Sequence, residues 1–115
     1  MSLLAQVLVL LHLVGFASLF GGALVQLRSR FPEVNAAMLH GAWTSLATGV
    51  ALVVLAVLEG ATGLPYAKIT VKLVLTLFVV LLVSANRRYE SIPRGLHAMI
   101  GGLALTNAGI AVLWQ

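Results

Sequence analysis

The sequence predicts an all-α protein, an integral membrane four-helix up-down bundle formed as a single transmembrane domain over residues 1–115. Three observations predict it. Of the 115 residues, 61% are hydrophobic and only 9% are charged, against about 25% charged in an average soluble domain. The mean hydropathy is +1.08. Four apolar stretches, separated by short polar segments, each approach the roughly 20 residues that cross a hydrocarbon core of about 30 Å. Only helices satisfy their own backbone polar groups in lipid at that run length.

The first stretch runs from about Leu3 to Leu27 and stops at Arg28-Ser29-Arg30-Phe31-Pro32-Glu33. It lacks the basic leader and the small-residue cleavage site of a signal peptide, so it is expected to persist as a helix. The second, residues 35–58, ends at Glu59 and the turn-forming Gly60-Ala61-Thr62-Gly63-Leu64-Pro65. The third, residues 66–85, closes at Asn86-Arg87-Arg88-Tyr89-Glu90, and the fourth covers residues 95–114. Small residues spaced four apart allow close helix approach. Ala17 and Gly21, Ser18 and Gly22, Ala47 and Ala51, and Ala104 and Ala108 have that spacing.

Charge placement gives an orientation. Arg28, Arg30, Arg87, Arg88 and Arg94 cluster around the first and third loops, while the other side carries Lys68 and, deeper, Lys72. Basic loops stay on the cytoplasmic side, so both termini are expected outside, in a membrane such as the bacterial inner membrane. Trp114 and Tyr66 suit the outer aromatic belt and Trp43 the inner one. The net charge of +4 therefore reports topology, and no nucleic-acid partner is expected. With no cysteine, thiolate chemistry and Cys-ligated metals are excluded. The partners expected are the lipid bilayer and further copies of the chain or a larger membrane complex.

Ionisable side chains within a membrane are costly and mark function. At about 1.5 Å per residue, His12, Lys72 and Asn107 lie roughly 9–14 Å below the outer ends of three different helices. Lys68, Lys72 and Thr76 follow one another on one face, with Glu59 placed as a counter-ion. A second layer, one turn in from the cytoplasmic side, holds His40 and His97. Two histidines at one depth on neighbouring helices suit the axial ligation of a b-type haem or a metal site. His40, Thr44 and Thr48 share a stripe, and Arg94 is placed to meet a propionate or phosphate.

Leu64-Pro65-Tyr66-Ala67-Lys68-Ile69-Thr70-Val71-Lys72-Leu73-Val74-Leu75, followed by Ser84-Ala85-Asn86-Arg87-Arg88, resembles the corresponding helix of CopD-type copper-resistance membrane proteins. There a Pro-Tyr stretch leads to Lys-Leu and the helix closes at Asn-Arg. Leu11-His12 before Gly21-Gly22 is similar to that family's first helix, and Thr48-Gly49 matches its Thr-Gly. The wider group also resembles small four-helix HemJ-type protoporphyrinogen oxidases, which pair a first-helix His with a third-helix Lys. The resemblance implies that His12 and Lys72 are the functional positions and that the ligand is a b-type haem or porphyrin. Three functions are compatible with the residues: binding of a haem or related redox ligand, with or without catalysis; a small transporter or channel; and a non-catalytic subunit of a membrane complex.

Overall fold

The computed structural model describes residues 2–60 and 62–114. Four helices follow in chain order: α1 (Leu3–Leu24), α2 (Ala36–Leu58), α3 (Tyr66–Ala85) and α4 (Arg94–Leu113). Each is long and apolar enough to cross a membrane. They form a ring in which α1 packs on α2 and α4, α3 packs on the same two, and the diagonal pairs do not touch. The bundle is 49 × 23 × 20 Å. Its outer surface stays apolar, with Leu10, Val54, Val74 and Leu81 all exposed, as suits side chains solvated by lipid tails.

The helix ends follow local chemistry. Asn35 caps α2 by accepting from the Met38 N–H at 2.9 Å, the expected role of a side-chain acceptor at that position. Its Nδ2 donates to the Gly22 carbonyl at 3.1 Å, which ties the start of α2 to the end of α1. Helix α1 closes at Leu24, three residues before the expected Leu27. Beyond it the backbone tightens, with Gln26 and Leu27 N–H groups reaching the Ala23 and Leu24 carbonyls. The Gln26 side chain then folds onto the backbone of Gly22 and Glu33. Between α2 and α3, Gly60 and Gly63 take φ values of 77° and 69°, a left-handed conformation that glycine adopts at little steric cost.

The closest helix contact is α1 against α2. A Cβ on Gly15 would lie 2.9 Å from the Ser45 backbone nitrogen, and one on Gly41 would strike the backbone of Leu19 and Gly15. Gly22 sits equally tightly, with Asn35 Oδ1 2.8 Å and Met38 Cγ 2.9 Å from the position of a Cβ. The seam therefore runs along Gly15, Leu19 and Gly22 of α1 and Met38, Gly41 and Ser45 of α2. Of the expected four-spaced pairs, Ser18 and Gly22 lie near it, Ser18 donating to the Ala37 carbonyl at 2.7 Å. Ala17 and Gly21 do not: Ala17 is exposed, and Gly21 has nothing within 4 Å of a Cβ position. Four-residue spacing alone does not say which side of a helix meets its neighbour.

The core is lopsided along the bundle axis. Leu19, Met38, Val80, Val83, Ile92 and Ile100 are buried at the end that carries the first and third loops. That end is tied by the Ile92 N–H donating to the Pro32 carbonyl at 2.7 Å. Arg94 adds a clasp, reaching the Ser29 carbonyl at 2.6 Å and the Leu27 carbonyl at 3.4 Å. In the opposite half, the buried apolar side chains among the described residues are Ala5 and, at the midpoint of α4, Ala104. The helices are packed at one end and open at the other.

Candidate functional site

A cavity of about 230 Å³ lies where the packed half meets the open half, and all four helices contribute to its lining. His12 comes from α1, Ser45 from α2, Lys72 and Thr76 from α3, and Asn107 from α4. A second cavity of about 140 Å³ adjoins it and shares His12, Ser45, Lys72 and Thr76. The rest of the main wall is aliphatic apart from Phe16. The three residues that depth counting grouped as an outer layer, His12, Lys72 and Asn107, thus border one space.

Two hydrogen-bonded chains set the chemistry of the wall. His12 Nδ1 lies 2.8 Å from Thr48 Oγ1, and Thr48 donates its hydroxyl proton to the Thr44 carbonyl at 2.6 Å. A threonine has one such proton, so His12 must be the donor at Nδ1. A neutral His12 then carries its lone pair on Nε2. Gly49 lies against the ring, a Cβ there falling 3.4 Å from His12 Cε1, at van der Waals contact. On the other side Thr76 donates to the Lys72 carbonyl at 2.7 Å and accepts from Asn107 Nδ2 at 2.7 Å. Asn107 is thereby fixed with Oδ1 as its remaining polar atom.

Among the described residues, two buried polar atoms have no partner: Ser45 Oγ and Asn107 Oδ1. Ser45 is 7% exposed. A buried polar atom without a hydrogen bond costs on the order of 1–3 kcal/mol, and both residues line the main cavity. Lys72 Nζ adds to them, for no hydrogen bond or carboxylate partner to it is present among the described residues. Glu59, expected as a counter-ion, accepts from Ser2 Oγ at 3.3 Å, and Lys68 Nζ donates to the Ala111 carbonyl at 3.2 Å. Lys68 sits near the outer ends of α3 and α4, and Lys72 is left with the cavity.

The inner histidines are not brought together. His40 is exposed on α2, whereas His97 is buried on α4 with Nε2 2.8 Å from the Ala23 carbonyl. Helices α2 and α4 are diagonal in the ring, so the two are not on neighbouring helices as the sequence suggested. Among the described residues no group of three or more His, Cys, Asp or Glu converges as a metal site would. The stripe expected to run from His40 through Thr44 to Thr48 is divided, because Thr48 turns to His12. Arg94 holds the loop backbone. Ser45 was not singled out by sequence; its only signal is its place four residues after Gly41, on the α1-facing side of α2.

The main cavity of about 230 Å³ and the adjoining one of about 140 Å³ together reach only the lower part of the roughly 300–1,000 Å³ of pockets that bury drug-sized ligands, so a porphyrin there would stand partly outside the bundle. Helix number and apolar surface place the chain among small four-helix bundles able to span a membrane, with a mainly apolar cavity between the helices that a few polar side chains border. No protein-family model matches the chain, and no curated protein or solved structure matches it either.

Proposed function

We propose that this protein is a small integral membrane protein that binds a redox-type ligand, smaller than a haem, in the cavity between His12 and Lys72. The observation that carries the reading is the set of unmet polar groups on residues that line one cavity from three helices: the Lys72 cation, Ser45 Oγ and Asn107 Oδ1. An unpaired cation at this depth lowers stability, and a bound ligand that accepts from it offsets that cost. The resemblance to CopD-type and HemJ-type proteins points to the same two residues, His12 and Lys72. Loops one and three face the cytoplasm in this proposal, and the outward-facing Ala17 and Gly21 supply a contact surface for a second copy or a larger complex.

Native mass spectrometry of the protein released from nanodiscs tests the binding reading. The expected result is a small-molecule adduct on the wild type that is lost in Lys72→Met. A bare mass in the wild type refutes it. A Soret band in the purified protein would replace it with haem ligation.

One observation favours a second reading, transport of a proton or small solute. The two cavities meet at His12, Ser45, Lys72 and Thr76, which places polar groups between two spaces. Flux across liposomes that disappears in Lys72→Ala supports transport, and flux equal to that of empty liposomes removes it.

A further inference from the structure

We propose that the His12–Lys72 cavity holds the ring of a lipophilic 1,4-hydroquinone taken sideways from the bilayer. The inference rests on the ligand-binding reading above and names the class of ligand. It begins with what the wall lacks. Lys72 Nζ can only donate, Asn107 Oδ1 can only accept, neutral His12 accepts at Nε2, and Ser45 Oγ can do either. A matching ligand must therefore offer an acceptor and hydroxyl hydrogens together. A bare anion would suit Lys72 but set its lone pairs against those of Asn107 and His12. A hydroquinone carries a hydroxyl at each end of its ring, one able to accept from Lys72 and the other to donate to Asn107 or His12.

Depth separates this ligand from an ordinary phospholipid. Lys72 lies six residues into α3, about 9 Å below its outer end, deeper than the interfacial layer where phosphate groups reside. Access separates it from a water-soluble metabolite. Leu13 of α1 and Val112 of α4 line the cavity yet are 58% and 72% exposed, so the wall opens between α1 and α4 toward the acyl chains. An alkyl tail can leave by that gap while the ring stays inside. Shape adds a third argument. Phe16 lines the cavity and stacks on Phe20 at 5.6 Å with an interplanar angle of 7°, and a flat ring extends such a stack at offset or edge-on geometry. A space of about 230 Å³ suits one substituted six-membered ring.

The oxidised quinone has two carbonyl acceptors and no hydroxyl hydrogen. It leaves Asn107 Oδ1 unpaired, so the reduced form binds about tenfold more tightly, the effect of one hydrogen bond to a buried acceptor.

The test is an anaerobic titration of the protein in nanodiscs with a short-tailed 1,4-benzohydroquinone, its quinone and its dimethyl ether, read by equilibrium dialysis and thermal shift. Saturable binding of one hydroquinone per chain, about tenfold weaker binding of the quinone and none of the diether is expected. Lys72→Met should weaken both redox forms at least tenfold, and Asn107→Leu should erase the preference between them, with far-UV circular dichroism confirming helix content. Equal affinity for all three probes in the wild type, or partitioning that never saturates, overturns the proposal without recourse to a variant. A native adduct that the hydroquinone neither matches nor displaces defeats this inference and leaves the ligand-binding reading standing. No adduct and no binding defeats both.

Discussion

Replacing Gly41 by alanine gives the sharpest test of how the bundle is held. The added Cβ would meet the Leu19 backbone and the Gly15 carbonyl oxygen, the latter at 2.6 Å. Backbone cannot rotate aside as a side chain can, so α1 and α2 must separate along their seam. Overpacking of this kind costs about 1–3 kcal/mol, and contact with three backbone atoms puts Gly41→Ala near the upper end. The alanine recovers about 0.8–1 kcal/mol of helix propensity, which leaves a net loss of about 2 kcal/mol, or close to thirtyfold in the unfolding equilibrium. Gly21→Ala is the matched control. It gains the same propensity and meets nothing within 4 Å, so it should be neutral or up to about 1 kcal/mol more stable. Unfolding both variants in mixed micelles, followed by circular dichroism, measures the difference. A Gly41→Ala protein as stable as wild type would refute the seam, as would a Gly21→Ala protein destabilised to the same degree.

Other consequences can be measured in the same system. Lys72→Met should raise the unfolding midpoint while abolishing ligand binding, because an ionised side chain deep in a helix costs up to about 2.5–3.5 kcal/mol on insertion scales; a lowered midpoint would mean that Lys72 has a structural partner. His97→Leu should destabilise by about 1–3 kcal/mol, since it removes a buried imidazole bonded to the Ala23 carbonyl, and His40→Leu, at an exposed position, should change stability by less than about 0.5 kcal/mol. Arg94→Ala should speed proteolysis within residues 28–35 with little effect on the midpoint, its guanidinium being exposed and bonded only to loop carbonyls. Because the chain has no cysteine, Ser29→Cys and Thr62→Cys can each be labelled alone in intact cells; a membrane-impermeant maleimide should reach residue 62 and not residue 29.

The fold was legible because its signal is additive. Four runs of about twenty apolar residues leave little choice of structure in lipid, and helix limits were displaced by no more than three residues. The outer polar layer was legible for a related reason. Depth along a helix follows from a fixed rise per residue, so His12, Lys72 and Asn107 could be placed at similar levels before any contact was known. Rotation about the helix axis was not legible. These helices are apolar on nearly every side, and with no polar face to mark the outside, sequence does not say that Ala17 faces outward and Gly15 inward. The same gap joined His40 to His97, whose depths agree while their helices stand diagonally in the ring and His40 faces away.

What rotation decides here is chemistry as well as packing. In α2, turning Ser45 and Thr48 toward α1 fixes His12 through Thr48 and sets the Ser45 hydroxyl against Gly15 in the α1–α2 seam without a partner among the described residues. Gly15 and Gly41 are the residues that permit this. By bringing two backbones together they put Ser45 beside α1, and side chains at either position would move α2 outward. The bundle then closes below the polar level, where Leu19, Met38, Val80 and Ile100 are buried, and stays open above it. A helix bundle whose polar groups served only cohesion would pair them with one another, as Thr76 pairs with Asn107 Nδ2. Here, among the described residues, pairing stops one atom short at Ser45 Oγ and at Asn107 Oδ1, with Lys72 and Ser45 lining both cavities and Asn107 the larger one. Unmet donors and acceptors gathered around one cavity are what a bound ligand would satisfy, as the ligand-binding proposal requires.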